Sequence, residues 1–195
     1  PFEMPFIAVG AFSYVLFLIY DINSVKANLP ALRLLFGLGT VLLGCSSVAV
    51  AFLSRGFAHA ATPVFAAVAA AFLALTIYSL FFALPPKSTY IDGQPKLCAT
   101  GMYALCRHPG VLWLTLMYAT VFGALPCTLT LVGGLIFSAL DVLYALFQDV
   151  WTFPRIFPEY GEYKRSVPFL LPSPASVRLA VSGRAAVPCD NDKNG

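Results

Sequence analysis

"PVFAAVAAAFLALTIYSLFFAL", residues 63–84, runs for 22 residues without a charge. A helix that crosses a bilayer needs about 20 predominantly apolar residues. A helix packed on the core of a water-soluble domain keeps a polar face, and this run has none. Its alanines also let neighbouring helices approach closely. On the N-terminal side, residues 29–53 form a second long run, with Arg33 near one end where its side chain can snorkel to the interface. Residues 4–20 form a run of borderline length; Glu3 precedes it instead of a basic segment, so it reads as a span and not a signal peptide. Downstream, residues 110–125 and 127–147 are two apolar runs joined at Leu125-Pro126-Cys127, the corner of a tight helical hairpin. The expected fold is all-α: an integral membrane helical bundle of about five transmembrane helices. It forms a single domain over residues 1–172, and the small, polar, proline-containing stretch 173–195 is expected to be disordered.

Composition supports the same class. The chain is 59% hydrophobic and 11% charged over 195 residues, with a mean hydropathy of +0.80. A soluble domain of this length could not hide so much apolar surface in one core. Five spans place Lys26, Lys87, Lys96, Arg107, Arg155, Lys164, Arg165, Arg178, Arg184 and Lys193 on one side and Arg55 on the other. The positive-inside rule then puts the C-terminus in the cytoplasm, below a bacterial inner membrane or the endoplasmic reticulum. The net charge of +3 follows from this topology and attracts anionic headgroups; it is not a nucleic-acid footprint. Expected partners are membrane lipids and a lipophilic or small molecule. Cys45, Cys98, Cys106, Cys127 and Cys189 show neither a CxxC pair nor a spacing suited to zinc, so they read as free thiols and no metal is expected. Gly133-Gly134, inside the fifth span, reads as a packing notch.

Polar chemistry gathers in two clusters. The first is "GMYALCRHPG", residues 101–110. Pro109 suits the first turn of a helix and pushes His108 out of helical geometry, so His108 reads as an N-cap. The free amides behind it carry the positive end of the helix dipole, which attracts an anionic group such as a carboxylate. Arg107 adds a fixed charge and Tyr103 an aromatic face. The simpler reading makes Arg107 a headgroup anchor and Tyr103 part of an interfacial aromatic belt. The second cluster is "DVWTFPRIFPEYGEYKRSVPFLLP", residues 149–172. It interleaves Asp149, Arg155, Glu159, Tyr160, Glu162, Tyr163 and Lys164 with Trp151, Phe153 and Phe157, and its simpler reading is a segment lying on the bilayer. The hairpin between the clusters brings them to one membrane face. Asp141 lies inside the fifth span, where a carboxyl is costly and normally faces the bundle interior. Uniform α-helical steps set it about 80° from Asp149, so both could face one cavity; the simpler reading is a protonated or hydrogen-bonded structural aspartate.

"CATGMYALCRHP", residues 98–109, followed by a membrane hairpin and then "FPEYGEYKRSVPFLLP", residues 157–172, resembles the catalytic region of the isoprenylcysteine carboxyl methyltransferase and phospholipid methyltransferase family. The resemblance covers roughly residues 96–172 and rests on Gly101, Tyr103, Arg107, His108, Pro109, Phe157, Tyr160, Tyr163, Val167 and Pro168. It implies a membrane methyltransferase that uses S-adenosylmethionine, with Tyr103, His108, Pro109 and Asp149 contacting the cofactor and Leu97 and Cys98 lining it through backbone atoms. It implies Arg107, His108 and Asp149 as catalytic residues; Tyr160 and Tyr163, together with Asp141 from its place inside the span, are candidates to line the acceptor cavity. The acceptor would be a lipophilic or small carboxylate or amine. Asp149 would replace the first member of an acidic pair, although a one-residue shift puts Gln148 there. The chain departs from the family at Val111, where a tyrosine is usual, and at Val150, where the second acid is usual. Ala145 stands where the prenylcysteine branch has a substrate-contacting arginine. Two other readings stay open. A helical membrane reductase using a nicotinamide cofactor shares the His-Pro motif but has Asn-Tyr where Gly110-Val111 stands here. The third is a catalytically inactive member of the methyltransferase family.

Overall fold

The computed structural model describes residues 4–83, 90–91, 94–95, 97, 99–183 and 185–186; Lys87, Lys96, Cys98, Arg184, Cys189 and Lys193 lie outside them. Among the described residues the chain is all-α, apart from a two-residue antiparallel ladder that pairs Tyr90 with Pro95 and Ile91 with Gln94. The long helices are α1 (Met4–Lys26), α2 (Leu34–Leu53), α3 (Thr62–Phe81), α5 (Pro109–Ala124) and α6 (Thr128–Phe147). Short helices follow the same order: α4 (Met102–Leu105), α7 (Phe153–Ile156), α8 (Tyr160–Ser166) and α9 (Pro174–Val181).

Among the described residues four helical segments are long and apolar enough to cross a membrane: Met4–Lys26, Pro30–Leu53, Thr62–Phe81 and Thr128–Ile156. Leu34, Val48, Phe52, Val64, Leu135 and Leu143 each keep more than half of their surface exposed. In water so much open apolar surface would drive association, whereas hydrocarbon accepts it and asks only that backbone groups be paired within the helix. Helix α5 is the exception in length. Its 16 residues span about 24 Å at 1.5 Å per residue, short of the roughly 30 Å hydrocarbon core. Helix α1 departs in the other direction, running to Lys26 instead of stopping near residue 20. Asp21 and Asn23 look like an end to the apolar run, yet both are buried. The Tyr144 hydroxyl donates to Asp21, and Asn23 bridges the turn to Leu29, accepting from its amide at 2.9 Å and donating to its carbonyl at 3.1 Å.

Where one domain over residues 1–172 is expected, the backbone groups into two compact units. The first comprises Pro1–Leu73 and Leu114–Gln148. Its core is Ile7, Val50, Ala69, Met117, Tyr118 and Phe137. A side chain at Gly10 would collide with the Phe137 ring, so this glycine permits the close approach of α1 and α6. Gly133 lies against Ile7 and Val50, and Gly134 against Tyr118, which is the notch expected of that pair. The α5–α6 corner is closed by a capping box between Cys127 and Thr130. Asp141 belongs to this unit, on the stripe of α6 that also carries buried Phe137 and Ala145. Tyr14, Tyr118 and Tyr144 are its electrostatic neighbours.

The second unit comprises Ala74–Trp113 and Asp149–Gly195. Its core is Leu97, Ala99, Tyr160, Tyr163 and Val167, with Phe153, Phe157 and Ala186 packed against it. The tail is not uniformly irregular. Ser173 caps α9 through the Ser176 amide at 3.1 Å, Ser176 returns a bond at 2.9 Å, and Pro174 occupies the first turn. Past this helix the Ala186 amide donates to Ala99 at 2.8 Å, which ties the chain back to the unit's core. Gly101 starts α4 at φ 56°, where a Cβ is strained although nothing lies within 4 Å of it. Gly101→Ala should therefore lower stability by about 1–3 kcal/mol through backbone strain alone. A denaturation midpoint in detergent equal to that of the wild type would refute this.

Candidate functional site

The site is built on the turn between α4 and α5. Cys106 is extended, at φ −156° and ψ 161°, so the chain leaves α4 and runs beside the segment after α8. There the Arg107 amide donates to Pro168 at 2.9 Å and the His108 amide to Phe169 at 3.3 Å. Pro109 then starts α5, and the His108 carbonyl accepts the first helical bond from Leu112 at 3.3 Å, the role of an N-cap.

Asp149 arrives from the other side of the chain. Helix α6 ends at Phe147 and winds into a π turn over Gln148–Thr152. Such a turn is rare and recurs at functional sites. Gln148, the alternative for the acidic position, points its amide at the Tyr144 hydroxyl, 3.0 Å away. Asp149 instead meets Arg107, with Nε donating to Oδ1 at 2.8 Å and Nη2 to Oδ2 at 3.3 Å. The Tyr160 hydroxyl donates to Oδ1 at 2.7 Å, and Lys164 Nζ lies 2.7 Å from Oδ2. A carboxylate has about four lone-pair sites. These four contacts occupy them.

Arg107 is not a headgroup anchor. Its side chain is 9% exposed, and Nη1 donates to the carbonyls of Lys164 at 3.1 Å and Val167 at 2.7 Å. One guanidinium thus joins the turn before α5, the π turn and the end of α8, the kind of planar multi-donor clamp that arginine alone makes. Tyr163 adds a parallel tie, donating to the Tyr103 carbonyl at 2.6 Å, while the Tyr103 hydroxyl donates to Ser79 at 2.9 Å. Neither residue is a belt aromatic with a free hydroxyl. Burial pushes the Tyr103 phenol up to about 12. Burial and the Asp149 charge push Tyr160 up as well, so both phenols act as donors at neutral pH.

His108 is the group with spare capacity. It is 6% exposed, with its ring 5.9 Å from and nearly parallel to Phe153, and 5.0 Å from Phe169. Its Nε2 stands 3.6 Å from Asp149 Oδ1, too far for a hydrogen bond, and is buried without a partner. Burial lowers its pKa; the Arg107 and Lys164 charges push the same way and nearby Asp149 opposes them. The ring is neutral at physiological pH. Cys106, fully buried, is raised to about 11 by burial and is no thiolate nucleophile.

The structure thus gathers Arg107, His108, Asp149 and Tyr160 directly, and Tyr103 through Tyr163. Pro109 is fully buried behind His108. Leu97 contributes its side chain to the core beneath the tyrosines, and Cys98 lies outside the described residues. Tyr160 and Tyr163, expected to face an acceptor, are 2% exposed and bonded inward. Lys164 was visible in the second cluster but not singled out; its place four residues after Tyr160, on the same face of a helix, was the available signal. The carbonyls of Val167 and Pro168 carry no side-chain signal at all. No family model, curated protein or solved structure matches this chain.

Proposed function

We propose that this protein is a membrane methyltransferase that uses S-adenosylmethionine to methylate a lipophilic or small acceptor, a carboxylate or an amine. Its C-terminus would lie on the cytoplasmic side of a bacterial inner membrane or the endoplasmic reticulum. One observation carries the reading. Arg107 of the first motif and Asp149, which takes the first acidic position 42 residues further on, meet in one buried ion pair, and Tyr160 of the second motif donates to the same carboxylate. Beside that pair the neutral Nε2 of His108 is buried and unpartnered at the start of a 16-residue helix.

These residues suit the cofactor. The orphaned His108 nitrogen and the first amides of α5 offer polar contacts to a zwitterionic ligand, and Phe153 and Phe169 provide aromatic faces. Tyr103, His108, Pro109 and Asp149 would hold it. When bound, it supplies an electrophilic methyl group on sulfur, and no metal is needed. The chain's own part is positioning and exclusion of water, which account for most of the rate in a one-step displacement. Arg107 holds Asp149 and the turn in place. Neutral His108 can take a proton from an amine acceptor, while a carboxylate acceptor needs only orientation.

Titration of the purified protein with S-adenosylmethionine and, separately, with a nicotinamide dinucleotide should show saturable binding of the first alone. Binding of the dinucleotide alone would establish the reductase reading, and binding of neither the inactive one. A screen of lipid extracts with methyl-labelled cofactor then identifies the acceptor.

A further inference from the structure

Of the groups around Asp149, one differs from the rest. Arg107 is 9% exposed and fixed by two further carbonyls. Tyr160 is 2% exposed and packed in the core of its unit. The Lys164 side chain is 36% exposed, and among the described residues its ammonium touches Asp149 alone, Oδ2 at 2.7 Å and the main-chain carbonyl at 3.2 Å. Its flexible stem can carry the charge into solvent without breaking anything else. Arg107 and Tyr160 cannot leave that way.

We propose that Lys164 is a built-in stand-in for a ligand: its ammonium fills a cation subsite on Asp149 Oδ2 that a ligand's primary ammonium takes by displacing it. The exchange conserves charge at the carboxylate, so it avoids leaving a buried anion unpaired. It also explains how a carboxylate with every acceptor site occupied can still bind a ligand. The inference rests on the methyltransferase reading for the source of the ammonium, which is either the amino-acid end of S-adenosylmethionine or an ethanolamine lipid headgroup. A ligand of either kind competes with Lys164, so its apparent affinity is reduced by the fraction of protein in which Lys164 sits on Asp149.

The test follows the side chain itself. The sequence has five lysines, so side-chain NMR of protein with 13C-labelled lysine gives few signals, and Lys164→Met identifies the one that matters. Wild-type protein in phosphatidylglycerol nanodiscs is titrated at constant ionic strength with methylammonium and with S-adenosylmethionine, and is compared with protein in nanodiscs containing phosphatidylethanolamine. The Lys164 signal should move toward its position in unfolded protein with methylammonium and with whichever natural source binds. Lys164→Met should bind that source roughly tenfold tighter. A Lys164 signal unmoved by high methylammonium, or unmoved by both S-adenosylmethionine and phosphatidylethanolamine, overturns the subsite; so does weaker binding by Lys164→Met. Failure of S-adenosylmethionine to bind, with Lys164 still displaced by methylammonium, counts against the methyltransferase reading alone.

Discussion

Asp149→Leu will destabilise the protein by about 3–5 kcal/mol and abolish the proposed S-adenosylmethionine binding, because it leaves the buried Arg107 guanidinium without its counter-charge. The Arg107 side chain is 9% exposed, so water cannot replace the lost carboxylate, and the two carbonyls that remain on Nη1 cannot neutralise a full charge. Tyr160 loses its acceptor in the same step, and Lys164 loses its ion-pair partner. Asp149→Asn keeps the shape and one acceptor oxygen, and should fall between the wild type and Asp149→Leu. A denaturant midpoint in detergent, read with a binding titration at low temperature where each variant stays folded, separates the two effects. A stability within about 0.5 kcal/mol of the wild type would place Asp149 among ordinary surface positions and remove the ion pair from the account.

Acidification will weaken both stability and the proposed S-adenosylmethionine binding, and His108 will be the cause. Its folded-state pKa lies below the ordinary histidine value, chiefly because burial disfavours the charged ring. From about 6.5 downward the unfolded chain takes up a proton that the folded protein refuses. Stability is therefore complete above that point and is lost as pH falls toward the folded-state value, by about 1.4 kcal/mol for each pH unit of the gap. Binding falls in the same window, since a protonated ring beside Arg107 and Lys164 adds a third positive charge. His108→Phe retains the aromatic packing and should flatten this part of the stability profile while losing most binding. Stability that rises on acidification would mean that the ring is charged in the folded protein.

Much of the fold was legible because length and polarity are read directly by a bilayer. The uncharged run at 63–84 and its neighbours correspond to α2, α3 and α6, and Pro126 marks the corner before α6. What was misjudged depends on pairings that sequence distance conceals. Asp21 and Asn23 ended the first apolar run on paper, and continue α1 in space because each finds a partner. Residues 173–195 read as disordered by composition, yet Ser173 and Ser176 supply a complete cap for α9. The site was half legible. Arg107, His108 and Asp149 stood out as rare polar groups beside apolar runs, and they meet. Lys164 was passed over among ordinary charges, and the carbonyls of Val167 and Pro168, which receive the turn, have no residue-type signature. Helical spacing groups Asp141 with Asp149, and the backbone assigns them to different compact units.

The most direct measurement is a double-mutant cycle on stability with Arg107→Met, Asp149→Leu and the two combined. If one ion pair assembles the site, Asp149→Leu strands the Arg107 charge while Arg107→Met leaves Asp149 with Lys164 as its counter-charge, and the double variant will be more stable than Asp149→Leu alone, with a coupling of about 2 kcal/mol or more. Single effects that add to within about 0.5 kcal/mol would show that Arg107 and Asp149 act independently, and the two motifs would then not form one site.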